Sequence, residues 1–364
     1  MPKIRHVGKI IIINMNWRQE ENKIIVEYNQ REFFFLMPDY FKLQEVHPDL
    51  IRLAELVLFY PWEKNLKNYK FSRKKRDRAA LCFSGGVDSM AAYCLLPKDT
   101  ILFFHKRNVT LPTAMRADNP LQVFKENGLD VRIIESSHEE IRTGYGEILG
   151  FSTDMAPSAA LILLADYWDI GYIATGTMLE STYLHKGNKY RNFSEDRHWN
   201  FWFNLFENAG LSLVFATAPC SEYLNSKIVT DNKKLAISCV RGKGSPCGKC
   251  YKCFRKLCIS NIKDGINYRN NEISHYLTAR PLKQGASLIH AMNKYGLDIP
   301  ELLEYKNISF PWLENYYYPA LESVHIKYRN YIKNELDKYS AAYDGEEIKN
   351  FDLASMYENK TIDI

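Results

Sequence analysis

Two groups of residues have types and spacings that could do chemistry. The first is Ser84-Gly-Gly-Val-Asp-Ser89, which follows a short apolar run and opens a helical one. A glycine turn between strand and helix leaves backbone N–H groups unpaired at the helix start, where the dipole adds partial positive charge. Gly85 and Gly86 let an anion approach the backbone, Ser84 and Ser89 can donate hydroxyls, and Val87 starts the helix. The arrangement suits a pyrophosphate. Asp88 beside an anion makes sense as a helix-capping charge or as a ligand for Mg²⁺. The second group is Cys239, Cys247, Cys250 and Cys253. Four thiolates can satisfy Zn²⁺ tetrahedrally, and Cys-x-x-Cys turns place two sulfurs on one ion. Redox, iron–sulfur and simple packing roles are the other uses of such cysteines.

The elements around these groups read as an α/β chain. Ala79 to Phe83 has the continuous apolar pattern of a buried parallel strand, and Val87 to Leu96 is helical up to Pro97. Further strands fall at Ile101–Phe104, Val131–Glu135, Tyr172–Ala174 and Ser212–Ala216, with a sixth at Leu235–Cys239. Helical patterns lie between them at Ala114–Asn127, Ala156–Trp168, His198–Ala209 and Glu222–Val229. This alternation predicts a doubly wound parallel sheet, whose ligands sit beyond the carboxyl ends of the strands. The glycine turn falls on that edge, as do His105-Lys106-Arg107, Ser136-Ser137-His138 and Thr175-Gly176-Thr177. Gly176 serves equally as an ordinary β-to-α turn and as a place for a flat ring or phosphate to come close. Tyr183 to Trp199, with Lys186, Lys189, Arg191 and Arg197, reads as a mobile loop over the site, and Gly144–Gly150 as a lid candidate.

Three segments are expected. Residues 1–77 form a β-rich extension, with strands at Lys9–Asn14, Lys23–Tyr28 and Arg31–Met37, Met15–Asn22 as connection, a helix at Pro48–Tyr60 and a solvated basic linker at Tyr69–Arg78. Residues 78–260 hold the nucleotide site and the cysteine cluster. Residues 261–364 are helical, clearest at Asn271–Ala279, Gly285–Tyr295 and Tyr317–Tyr339, with Trp312, Tyr316, Tyr317 and Tyr318 packed inside, partner binding or base stacking being their other use. Lys243, Lys249, Lys252 and Arg255 would offset the charge of four thiolates. Cys82, Cys94 and Cys258 read as core, whereas Cys220, at a strand end, is ambiguous.

Composition sets the class. The chain is 46% hydrophobic and 25% charged, as soluble globular proteins are. Its net charge of +5 permits an anionic substrate or nucleic acid and demands neither. There is no run of about 18 apolar residues to span a membrane, and no signal-peptide core. Crowding four of eight cysteines into one stretch points to metal in a reducing cytoplasm rather than to disulfides. A homo-oligomer is expected.

Ser84–Ser89 resembles the PP-loop of the ATP pyrophosphatase superfamily, and no Walker-type Gly-Lys-Ser/Thr ending is present. The resemblance implies ATP and Mg²⁺ as cofactors, cleavage between the α and β phosphates, and adenylation of a substrate. It also places Gly176 near the nucleotide and gives Asp88 and Ser89 catalytic roles. With Cys-x₇-Cys-x₂-Cys-x₂-Cys following, Ala79–Lys256 is similar to the 7-cyano-7-deazaguanine synthases of queuosine biosynthesis. Their resemblance implies a carboxylate substrate of the 7-carboxy-7-deazaguanine type, attacked by ammonia or an amine, and a structural zinc on Cys239, Cys247, Cys250 and Cys253. The acidic substrate-contacting stretch of that family is not recognisable in Met178–Trp199. Three other readings follow from the superfamily: a phage-defence or modification enzyme acting on a protein or nucleic acid, a tRNA sulfurtransferase using Cys220, and a zinc-bearing nucleotide sensor.

Overall fold

The computed structural model describes residues 15–28, 31–60, 62, 69–108, 117–262 and 270–358. Ten strands and ten helices carry the argument. In chain order they are β1 (Asn16–Glu20), β2 (Lys23–Tyr28), β3 (Arg31–Leu36), α1 (Pro48–Phe59), β4 (Arg78–Cys82), α2 (Val87–Leu95), β5 (Ile101–Arg107), α3 (Asp118–Glu126), β6 (Val131–Ser136), α4 (Ala159–Leu163) and β7 (Ile170–Thr175). There follow β8 (Leu184–His185), β9 (Lys189–Tyr190), α5 (Arg197–Asn208), β10 (Ser212–Phe215), α6 (Glu222–Asp231), α7 (Tyr251–Ile259), α8 (Asn271–Thr278), α9 (Gly285–Tyr295) and α10 (Ile326–Leu336).

The main sheet runs β1-β2-β3-β6-β5-β4-β7-β10. From β6 to β10 every pairing is parallel, and β1 to β3 continue the sheet antiparallel. Burial explains the parallel half. Ala80, Ile101, Phe103, Ile173, Leu213 and Phe215 enter a core with α1, α4 and α5. Their neighbours Leu81, Leu102, Phe104, Ala174 and Val214 enter a second core with α2, α6 and α10. Side chains that alternate between two apolar layers require unbroken apolar runs, and the expected doubly wound sheet is present. The chain leaves β4 toward β5 on one side and reaches β7 on the other. The strand order therefore reverses beside β4, at the crevice where ligands of such sheets bind.

Several expectations need correction. Met15–Asn22 is not a connection: it holds β1, which turns into β2 at Glu21, a residue with φ of 53°. Lys9–Asn14 lies outside the described residues. One apolar cluster takes in Ile24, Phe35, Leu163, Phe215, Leu288 and Leu353, residues of the first, middle and last segments. The basic linker is not solvated at Arg73. Its guanidinium is buried and donates to the carbonyls of Gly210 (2.6 Å) and Ile170 (2.8 Å), with Asp166 beside it (3.0 Å). Asp49 of α1 accepts the N–H groups of Ser72 and Arg73, both at 2.6 Å, which fixes the entry into β4. Tyr317–Tyr339 is a short turn of 3₁₀ helix followed by α10, rather than one helix. Trp312, Tyr316 and Tyr317 are buried and Tyr318 is half exposed. Among the described residues no helix is long and apolar enough to cross a membrane.

Candidate functional site

Phe83 follows the end of β4, and Gly85 turns the chain with φ of 71°, a conformation L side chains resist. Gly86 then caps α2 with extended angles and no side chain. Its role is room: a Cβ there would sit 3.3 Å from Ser238 Oγ and 3.5 Å from Ser84 Oγ. Ser84 Oγ and Ser89 Oγ are 3.1 Å apart, and Ser89 Oγ donates to Gly86 O at 3.0 Å. The loop is therefore pre-organised, with Ser84 exposed at its mouth and Ser89 buried behind it.

The loop opens on a cavity of about 480 Å³ at the carboxyl edge of the sheet. Ser84 and Gly86 line one side, Thr175, Gly176 and Thr177 another, and His105 and Arg107 a third. Three strand ends thus converge as the alternation of elements requires. Gly176 has two duties there. It lines the cavity, and a Cβ on it would meet the backbone of Asp88 and Ser89 at 2.7 Å.

Asp88 is placed differently from its expected part. It does not line the cavity; its carboxylate accepts from Asn225 Nδ2 (3.1 Å) and lies 3.7 Å from Lys256 Nζ. It belongs to a buried charge cluster under α2. Glu222 pairs with Arg255 (2.8 Å) and Lys256 (2.7 Å). Burial opposes the Glu222 charge, but these two cations hold it well below the usual carboxylate range. Glu180 receives the Glu222 N–H (2.9 Å) and the Ser287 hydroxyl (2.5 Å). Burial, then the neighbouring Glu222, pushes Glu180 up to about 7. Arg255 therefore does not neutralise the thiolates. It faces away from them, into this cluster.

A second cluster forms the far wall. Arg107 pairs with Glu139 at 2.7 Å and lies 4.4 Å from the Phe151 ring. Burial pushes Glu139 up to about 7. The His105 and His138 rings lie 4.4 Å apart and tilted, and burial pushes His105 down to about 3 and His138 well below its usual value. Phe151, rather than the Gly144–Gly150 loop, lines the cavity.

Residues 235–239 are not a sixth strand. They cross over the glycine turn, where Ile237 N–H donates to Gly85 O (2.9 Å) and Ser238 Oγ accepts from Val87 N–H (3.0 Å). Ser238 carries no sequence signature of its own, and Lys252, Asn225 and Glu222 carry none that assigns them to the cavity or the charge cluster. Only their places around the cysteine motif hinted at proximity. Tyr183–Trp199 is not a loose cover either. β8 and β9 pair, Lys186 O and Gly187 O accept from Gln284 and Ala286, Lys189 pairs with Asp352 (2.8 Å), and Arg191 with Asp196 (2.8 Å).

The four expected cysteines meet. Their sulfurs all lie within 4.8 Å of one another, and Cys247 and Cys253 Sγ are 3.8 Å apart. Four sulfurs at about 2.3 Å from a central ion must be about 3.8 Å from each other, so the set fits one tetrahedral zinc. It is too tight to place one sulfur on each corner of a cubane. Backbone N–H groups of Arg241 and Cys247 point at Cys239 Sγ, and that of Cys253 at Cys250 Sγ, all at 3.4 Å. Gly244 and Gly248 take the positive φ that the turns need. Cys239 also lines the cavity, so the cysteine cluster and the glycine loop are neighbours. Cys220 is fully buried, and burial pushes its thiol well up. Cys82 is not simply core: it lines the cavity, with a thiol pushed up to about 12 by burial.

A family of unknown function (DUF6395) matches residues 201–352, which take in the four cysteines but not the Ser84–Ser89 loop. No curated protein matches the chain. Among solved structures, the U34-tRNA thiolase NcsA from Methanococcus maripaludis, with its 4Fe-4S cluster, is similar at 13% identity over 69% of this chain and 80% of that one, with a TM-score of 0.30.

Proposed function

We propose that the chain is an ATP-dependent adenylating enzyme that releases AMP and pyrophosphate and activates a carboxylate for ammonia or an amine. The observation that carries this is the Ser84–Ser89 loop, set at the sheet's reversal point and opening on the cavity. A helix N-terminus with the Ser84 hydroxyl beside it and no Walker lysine suits the β and γ phosphates as a leaving group. The α-phosphate then lies toward Gly176, exposed to an incoming carboxylate. The protein's work is positioning and charge neutralisation rather than covalent chemistry. No protein ligand for Mg²⁺ is assigned, because Asp88 faces Lys256 and Asn225. Zinc on Cys239, Cys247, Cys250 and Cys253 would be structural, since four thiolates leave no position open for water. The acceptor is a small carboxylate of the 7-carboxy-7-deazaguanine type, or a carboxylate of a protein or nucleic acid in a modification or defence role.

Sulfur transfer onto tRNA is the weaker reading. A persulfide carrier must be exposed and ionisable. Cys220 is buried, and the Cys82 thiol, though in the cavity, is pushed up to about 12. Product analysis with α- and γ-labelled ATP tests the proposal. AMP and pyrophosphate, formed only with a carboxylate acceptor and an amine, are expected; ADP and free phosphate would rule it out.

A further inference from the structure

We propose that Lys252 is the cation that binds the phosphates in this cavity, and that the four-cysteine centre holds it in place. The proposal rests on the nucleotide reading above.

The need comes from charge. A helix N-terminus supplies about half an elementary charge, whereas a departing pyrophosphate carries several negative charges. A full cation near the loop is required. Among the described residues lining the cavity, Arg107 and Lys252 are the Lys and Arg side chains. Arg107 is committed to Glu139 and Phe151 on the far wall. Arg255 and Lys256, one turn along from Lys252, are both committed to Glu222. Lys252 lines the same cavity as Ser84, Gly86 and Ser238, and the charges that act on it are those of Asp88, Lys256, Arg255 and Glu222. Asp88 and Glu222 are held by other partners, so neither is a private counter-ion.

Its placement follows from the cysteines. Lys252 lies between Cys250 and Cys253 in the first turn of α7, and the Cys250 sulfur caps that turn by accepting the Cys253 N–H. A metal that holds both sulfurs fixes the backbone of the residue between them. Cys239, on the other side of the centre, is continuous with Ser238, which is bonded to the glycine loop. The centre therefore ties the lysine's backbone to the loop it serves. A lysine needs no bidentate geometry to hold a phosphate, because it acts as a point charge.

The test is calorimetric titration of zinc-loaded protein with inorganic pyrophosphate, and separately with adenosine. Lys252→Met and Lys252→Gln should bind pyrophosphate on the order of tenfold more weakly or worse. Lys252→Arg should recover most of the affinity. Zinc content and adenosine affinity should be unchanged in all three. Pyrophosphate affinity like wild type in the Met and Gln variants would overturn the assignment, as would an equal loss for adenosine. Wild-type protein that binds neither ATP nor pyrophosphate would overturn the nucleotide reading itself. Wild type that binds both, with unaffected variants, would overturn only the role of Lys252.

Discussion

Gly176 packs on Asp88 so closely that an added methyl group would lie 2.7 Å from the Asp88 carbonyl oxygen. The end of β7 is thereby locked to the first turn of α2, across the point where strand order reverses. Space, not backbone angle, makes glycine necessary here. Gly176→Ala should push the start of α2 away from β7 and destabilise the fold by about 1–3 kcal/mol, the usual cost of overpacking. It should weaken ATP binding as well, because the same turn forms the phosphate cradle. Urea unfolding of the variant with an unshifted midpoint would show that the contact is not as close as described.

The cysteine centre should hold one zinc per chain and contribute to folding rather than to chemistry. Cys250→Ser removes one sulfur and the cap of α7, so that metal is lost and the protein becomes insoluble. Metal analysis and absorbance together decide the matter. Soluble, active wild type without zinc contradicts the assignment, and an iron–sulfur band replaces it.

Glu180 makes stability depend on pH. Burial raises it from 4.5 to about 7, so the folded state holds its proton more tightly than the unfolded chain does. Its sign is therefore opposite to that of a salt-bridged carboxylate. Stability is fullest below about 4.5 and falls as pH rises toward about 7. Glu139 acts in the same direction. Glu222, held down by Arg255 and Lys256, acts oppositely and matters only in acid. Glu180→Gln cannot ionise, so its stability relative to wild type should improve between pH 5 and pH 8 by up to about 3 kcal/mol. The amide offers one acceptor oxygen where the carboxylate offers two to the Glu222 N–H and Ser287, which sets a constant offset; the slope is the readout. Parallel stability curves for the two proteins would refute the linkage.

What was legible in the sequence is what chemistry constrains locally. The Ser84–Ser89 turn, the strand-helix alternation and the cysteine spacing each demand particular residue types at fixed offsets, and all three are where the pattern put them. The misreadings come from tertiary context. Residues 235–239 have strand-like composition, but Ile237 and Ser238 spend their polar groups on the glycine loop instead of a neighbouring strand. Lys186 to Arg197 looks like a loose cationic loop because its partners, Gln284 and Asp352, are far along the chain. Arg73 sits in a basic run whose neighbours are exposed, and only the carbonyls of Ile170 and Gly210 reveal its burial. Charge pairing of Glu222 with α7 has no periodicity to announce it.

Cys220 separates adenylation from sulfur transfer. It has no exposed surface, and its neighbours Glu180 and Asp88 add to burial in raising the thiol. Cys220→Ala should keep more than half of the activity, a change in activation free energy below about 0.4 kcal/mol. A thousandfold loss in a folded variant would restore the sulfur-transfer reading.

Asp88 tests how the cation of the nucleotide is held. Its carboxylate sits in the first turn of α2, where a negative charge is favourable, and it is bonded to Asn225 of α6 with Lys256 of α7 nearby. Asp88→Asn keeps a hydrogen-bonding side chain but removes the charge. Stability should fall by about 1 kcal/mol, the scale of a helix-dipole and partly buried charge contact. The turnover rate should fall too, since α2 carries the phosphate cradle. The half-saturating Mg²⁺ concentration should stay where it is, because the carboxylate is bonded to Asn225 and does not line the cavity. A metal ligand would behave otherwise: its loss would move that concentration by on the order of tenfold or more, while leaving saturating turnover less affected. Gly85→Val and Gly86→Val complete the test on the other side of the helix. The first forces a β-branched residue to φ of 71° and should unfold the turn. The second keeps allowed angles but presses on Ser238 and Ser84, so it should fold and lose ATP binding. If Gly86→Val binds ATP normally, or Asp88→Asn shifts the Mg²⁺ requirement, the cradle is arranged differently from the one described.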